Sequence, residues 1–188
     1  MAKVFIGGSR HISRLTAPVL ERLHAIMEKE LSVIVGDAKG ADKAVQDYFF
    51  SKGYQNVEVF CSGSACRNNV GHWNTRNIDT TTRDKGREFY TVKDRAMAHE
   101  ATYGFMVWDE KSPGTLLNAL RLLRQGKKVV VYLTSEHRFE ELRAPDQWEG
   151  FIAPYGAEFR SEMEQRVDLE ERKDRKLNKP ALLSMMSK

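Results

Sequence analysis

The feature that most constrains this chain is an alternation of short, almost unbroken apolar runs with longer stretches of helical spacing. Lys3-Val4-Phe5-Ile6-Gly7, Val33-Ile34-Val35, Val57-Glu58-Val59-Phe60, the run Tyr103 to Trp108 and the run Val129 to Leu133 read as five strands. Between them, Leu20, Leu23, Ile26 and Met27 fall on one stripe of a helix over about Leu15 to Leu31. Ala41 to Lys52, about Val92 to Ala101, and Gly114 to Gln125 read as further helices. Strands without a polar face are buried on both sides, and strands that alternate with helices pair in parallel. The expected fold is α/β: a doubly wound, Rossmann-like parallel sheet of about five strands with helices on both faces. Right-handed crossovers put any ligand at the carboxyl ends of the strands, near the point where strand order reverses.

One domain is expected over residues 1–160, with a long loop insert at 62–90, followed by a charged C-terminal helix or tail at 161–188. The insert is rich in Gly, Asn, Thr and Arg, and loops of that length in a compact domain tend to be functional. From Glu162 to Lys188 there are seven basic and six acidic residues, a mixed-charge pattern.

The net charge of +4 over 188 residues suits a pocket for anions. It is not clustered along the chain, so nucleic acid is disfavoured as a partner. Cys61 and Cys66 have four residues between them, and the five histidines are scattered. The expectation is therefore ordinary free thiols, no metal and a reducing, cytoplasmic setting. Apolar runs of five or six residues are far too short to span a membrane.

Three strand-to-helix loops carry the candidate chemistry. In Gly7-Gly8-Ser9-Arg10 the glycines let backbone N–H groups approach an anion, Ser9 adds a hydroxyl, and Arg10 can make a bidentate contact with phosphate. A tight turn would use the same residues. In the second loop, from Gly36 to Asp42, Gly40 opens a helix whose free N–H groups favour an anion, with Lys39 beside it. Asp37 is placed to accept from a ribose hydroxyl, and Asp42 either joins it or caps the helix. In the third, Trp108 to Thr115, the residues Ser112, Gly114 and Thr115 would offer hydroxyls and amides to phosphate, or simply an N-cap and turn. The insert adds Arg67, Asn68 and Asn69, and the next helix opens on Lys93-Asp94-Arg95. Trp73 and Tyr90 could stack on a base or pack the loop down.

These motifs, together with Gly126-Lys127, resemble the SLOG superfamily in its YspA/cpYpsA-like branch, over about Lys3 to Leu133. That superfamily also holds the lonely-guy-type nucleoside-monophosphate phosphoribohydrolases and the DNA-processing protein A group. The resemblance implies a Rossmann-like fold and a phosphate-bearing nucleotide or nucleotide derivative as ligand, with hydrolysis of its N-glycosidic bond as the associated chemistry.

The phosphoribohydrolases follow their glycine turn with paired glutamates, where this chain has Leu117 and Asn118. Glycosidic cleavage needs a carboxylate, so Asp94, Glu100 and Asp109 are the catalytic candidates in their place. The leading expectation is thus a nucleotide binder with phosphoribohydrolase-like activity as an open question. A non-catalytic nucleotide sensor is the alternative, and a single-stranded nucleic-acid module is the least favoured. No cofactor is expected, and a homo-oligomer stays open.

Overall fold

The computed structural model describes residues 1–79 and 86–185. Residues 80–85 of the expected insert and 186–188 of the tail lie outside the described residues. A seven-stranded sheet runs through the molecule in the order β4-β3-β2-β1-β5-β6-β7. The strands are β1 (Lys3–Gly8), β2 (Ser32–Gly36), β3 (Val57–Ser62), β4 (Asn74–Ile78), β5 (Tyr103–Trp108), β6 (Lys128–Leu133) and β7 (Arg138–Leu142). All neighbours pair in parallel except β6 and β7, which are antiparallel.

Helices cover both faces. Val4, Ile6, Val33, Val35, Val57 and Val59 point to one side and bury Val19, Leu23, Val45 and Phe49 of α1 (Ala17–Glu28) and α2 (Ala41–Ser51). Phe5, Ile34, Phe60, Met106 and Trp108 point to the other side. There they meet α3 (Arg87–Glu100), α4 (Pro113–Arg124), α5 (Pro145–Ile152) and α6 (Ala157–Met185). The strict side-to-side alternation along each strand makes one apolar sequence serve two cores. The α/β doubly wound architecture expected from the sequence is therefore what the chain adopts.

The sheet has two strands more than the sequence reading placed. β4, Asn-Thr-Arg-Asn-Ile, is an edge strand with an exposed or half-buried pattern, so it carries no apolar period to announce it. It sits inside the stretch expected to be loop, and α3 begins at Arg87 rather than about Val92. β7 returns from β6 through a tight turn and lays Phe139 against Tyr132, with ring centroids 4.9 Å apart.

β1 leads outward through β2, β3 and β4; the chain then returns to place β5 on the other side of β1. The reversal lies between β1 and β5, and their carboxyl ends open one cleft. Gly8 is what lets this junction close. A Cβ there would collide with the Val107 carbonyl and with Ala41 of α2, so only glycine allows β1, β5 and α2 to meet.

Cys61 and Cys66 are joined in a disulfide, with Cα atoms 5.0 Å apart. This corrects the free-thiol reading, and the argument for a reducing setting goes with it. Just after Cys61 the chain turns through Gly63, whose φ of +79° and N–H to the Ile78 carbonyl fold residues 63–66 back toward β3. Sequence spacing alone does not reveal that turn. Among the described residues no helix is long and apolar enough to cross a membrane.

Candidate functional site

A cavity of about 710 Å³ opens at the carboxyl ends of β1 and β5. Its floor is Gly7, Gly8, Ser9 and Arg10; one wall is the start of α4 with Ser112, Gly114 and Thr115. The opposite wall comes from Asp42 of α2 and from Tyr90, Lys93, Asp94 and Arg95 of α3. Asn118, Arg121, Arg166, Leu169 and Glu170 close the far end.

The α4 side is built from hydroxyls and backbone amides gathered on one carboxylate, Asp109. Ser9, buried, donates from its hydroxyl to Asp109 Oδ2 at 2.6 Å and lies 2.8 Å from the Ser112 hydroxyl. Asp109 also accepts from the backbone N–H of Ser112 at 2.8 Å and of Lys111 at 3.2 Å. Burial works against its charge, but these hydrogen bonds, led by that from Ser9, together hold its carboxyl below the ordinary range. Asp109 therefore fixes the shape of the loop, and its oxygens are engaged there rather than in the cavity.

Ser112 is spent on the same cluster and gives α4 no side-chain cap. Pro113 occupies the first turn, where its missing N–H costs nothing. The helix thus presents uncapped amides to the cavity. Beside them Thr115 is 3% exposed, and its hydroxyl has no hydrogen-bond partner among the described residues. A Cβ on Gly114 would meet nothing within 4 Å, so the first turn faces open space.

The α3 side is a charge network. Lys93, 3% exposed, lies 3.0 Å from Asp94 Oδ1 and 3.9 Å from Asp37 Oδ1. Burial alone would lower the Lys93 pKa, but Asp94, Asp42 and Asp37 together raise it above the ordinary value. Asp37, at the end of β2, is gripped by Arg67: Nη2 at 2.5 Å, Nε at 3.1 Å and the Arg67 backbone N–H at 3.0 Å. These bonds outweigh burial and hold its pKa below the ordinary range. Among the described residues Asp42 accepts a single hydrogen bond, from the Ala38 N–H at 3.3 Å, and burial pushes its pKa up to about 6 despite the charge of Lys93.

Other residues named from the sequence fall in four places. Asn68 donates to the Asp37 carbonyl and Asn69 clamps Trp73 at both N–H and carbonyl, so they hold the 63–73 segment against β2 and β3. Trp73 is buried with its indole N–H on the Tyr54 carbonyl and packs the loop rather than facing the cavity. Gly36 sits against Asp42 and Lys93, and Gly40, with φ of +78°, lets Arg10 pass over it. Lys39 is exposed and outside the cavity wall. Glu100 is at the opposite, amino-terminal edge of the sheet, paired with Lys3 at 2.9 Å and with Arg76. The fold does not bring it to the cleft.

Arg121, Arg166 and Glu170 were not expected. Arg121 is buried, its Nη1 on Asn118 Oδ1 at 2.5 Å and its Nε and Nη2 each 2.7 Å from Glu170. Asn118 and Arg121, three residues apart in the otherwise apolar row Leu116 to Leu123, were the available signal. Nothing in the mixed-charge run after Glu162 marks Arg166 or Glu170 as facing this cleft.

No family model and no curated protein matches the sequence. The fold is similar to that of DNA processing protein A from Helicobacter pylori, whose structure is described as giving insight into a unique single-stranded DNA binding mode. Identity is 15%, over 69% of this chain and 64% of that one, with a TM-score of 0.52. It is similar also to DNA processing protein A from Streptococcus pneumoniae, at 16% identity over 69% of this chain and 50% of that one, with a TM-score of 0.53. This chain spans less than two thirds of either protein, and the likeness is one of fold.

These comparisons correct three expectations. The structures sharing the fold are DNA-processing proteins, not members of the YspA/cpYpsA-like or phosphoribohydrolase branch. The expected small nucleotide ligand, with hydrolysis of its glycosidic bond, finds no support among them. Nucleic acid was disfavoured because the charge is scattered in sequence. In space, Arg10, Lys93, Arg95, Arg121 and Arg166 come from four separate segments to line one cavity.

Proposed function

We propose that this chain binds single-stranded DNA across the carboxyl edge of its sheet, seating a backbone phosphate on the first turn of α4. The observation that carries the reading is the uncapped start of α4 with the buried, unpartnered Thr115 hydroxyl beside it. Free amides and the positive end of the helix dipole suit a phosphate, and a hydroxyl without a partner is a donor waiting for an acceptor. Five cationic side chains against three carboxylates on the cavity wall supply the sequence-independent attraction that a phosphodiester backbone requires. Tyr90 lines the cavity wall with the Arg10 and Arg67 guanidinium groups 5.3 and 4.4 Å from its ring centroid, a cation–aromatic stack that a base would join by displacing one guanidinium. The similarity of fold to a protein described as binding single-stranded DNA supports the same reading. In this proposal Gly7 and Gly8 floor the cavity, while Lys93 and Arg95 of α3 add positive field from its wall, with Asp94 occupied by Lys93.

The test is fluorescence anisotropy of a labelled oligo(dT) across a salt series. Binding should weaken linearly in log–log form, and Arg10→Ala should reduce the slope by about one. No binding at low salt, or equal affinity for a duplex of the same length, overturns the proposal.

A further inference from the structure

The Cys61–Cys66 disulfide lies next to the Arg67–Asp37 clamp, and Asp37 in turn adjoins Lys93 of the cavity wall. Cys66 is followed directly by Arg67, whose backbone N–H and guanidinium hold the buried Asp37 and whose guanidinium lies over Tyr90. Cys61 is fully buried at the end of β3, whereas Cys66 is partly exposed. The bridge closes a short ring over residues 62–65 and so fixes where the chain starts its approach to Asp37. Removing it returns conformational freedom to the segment immediately before Arg67.

We infer that Cys61–Cys66 is a reversible thiol–disulfide exchange site that controls the Arg67 clamp, with a small or protein dithiol as its reductant. The exposed Cys66 sulfur takes the attack of one reductant thiolate. The S–S bond breaks, Cys61 leaves as a thiolate and takes a proton, and a mixed disulfide forms on Cys66. The second reductant thiolate then attacks its partner sulfur in the mixed disulfide, and Cys66 leaves and is protonated. Two electrons and two protons pass to the protein, and the reductant becomes a disulfide. Oxidation by a disulfide of the same class runs the sequence backwards.

The effect on DNA affinity rests on the proposed function; the effect on the clamp does not. The full chain is equilibrated in dithiothreitol buffers of graded redox ratio, thiols are trapped by alkylation and counted by mass, and amide exchange is measured over residues 66–70. The expected result is one cooperative two-thiol transition, with exchange at Arg67 on the order of tenfold faster in the reduced form. Oligo(dT) affinity should fall several-fold in parallel. The Cys61→Ser/Cys66→Ser double variant should behave as the reduced protein under all buffers. Two free thiols even in fully oxidised buffer, or identical exchange at Arg67 in both forms, overturns the inference. A change in exchange with no DNA binding in either form supports the clamp and overturns the binding proposal instead.

Discussion

The two walls of the cavity solve opposite problems. The α3 wall brings three carboxylates and three cations, Lys93, Arg95 and Arg67, into or beside a buried space, and its buried charges find partners within the protein: Asp37 on Arg67, Lys93 on Asp94, Asp42 near Lys93. The α4 wall carries no charge of its own in its first turn and leaves a hydroxyl and its leading amides without protein partners. A saturated wall is rigid and contributes shape and field, whereas an unsaturated one has donors to give to a ligand. Under the proposed function, phosphate recognition falls to α4 and structural work to α3, although the α3 wall is the more charged of the two.

The largest break of this comparison is at Lys93. Lys93→Met removes the cation shared by Asp94, Asp42 and Asp37, leaving carboxylates buried without it. A loss of about 3–5 kcal/mol is expected, measured by urea denaturation. A loss under about 1 kcal/mol would mean that the wall does not depend on internal pairing.

A smaller effect separates Asp42 from its neighbours. Its folded pKa, about 6, lies above the unfolded value, so between pH 4 and 6 the folded protein keeps a proton that the unfolded chain has released. Stability from this group therefore falls as pH rises through that window. Asp37 and Asp109, held below the ordinary range, act in the opposite sense: their contribution is present above the unfolded value and lost on acidification. Asp42→Asn should gain on the wild type by about 2 kcal/mol between pH 4 and pH 7. Denaturation at the two pH values checks it, and a constant difference would assign the burial cost elsewhere.

The smallest effect sharpens the α4 side. Thr115→Val keeps the shape and removes the unpartnered hydroxyl, so stability should change by less than about 1 kcal/mol. Oligo(dT) affinity should drop roughly five- to tenfold, near 1–1.4 kcal/mol. Unchanged affinity would move the phosphate away from this turn.

The parts of the fold legible in the sequence were those with an apolar period. Runs such as Val33-Ile34-Val35 and Val129 to Leu133 announced buried parallel strands, and the three loops that follow β1, β2 and β5 lie at the end of the sheet where the cavity opens. β4 escaped because an edge strand of Asn, Thr and Arg has no buried face to impose a pattern. The cavity's far end escaped for a different reason. Arg121 and Glu170 meet only because α6 packs on α4, and no local signal encodes a contact 49 residues away. Asp109 was legible as a carboxylate in a key loop, but not as one already occupied by Ser9 and Ser112.

The cavity's cations have a consequence for how this protein is assembled. Arg10, Lys93, Arg121 and Arg166 belong to β1's loop, α3, α4 and α6, so the site has no local precursor in a partly folded chain. An intermediate with β1 to β3 formed but α6 undocked would lack one end of the cavity. A ligand that needs all four segments is blind to such species and draws the population toward the completed fold. Occupancy of the cleft then reports that the last helix has reached its place.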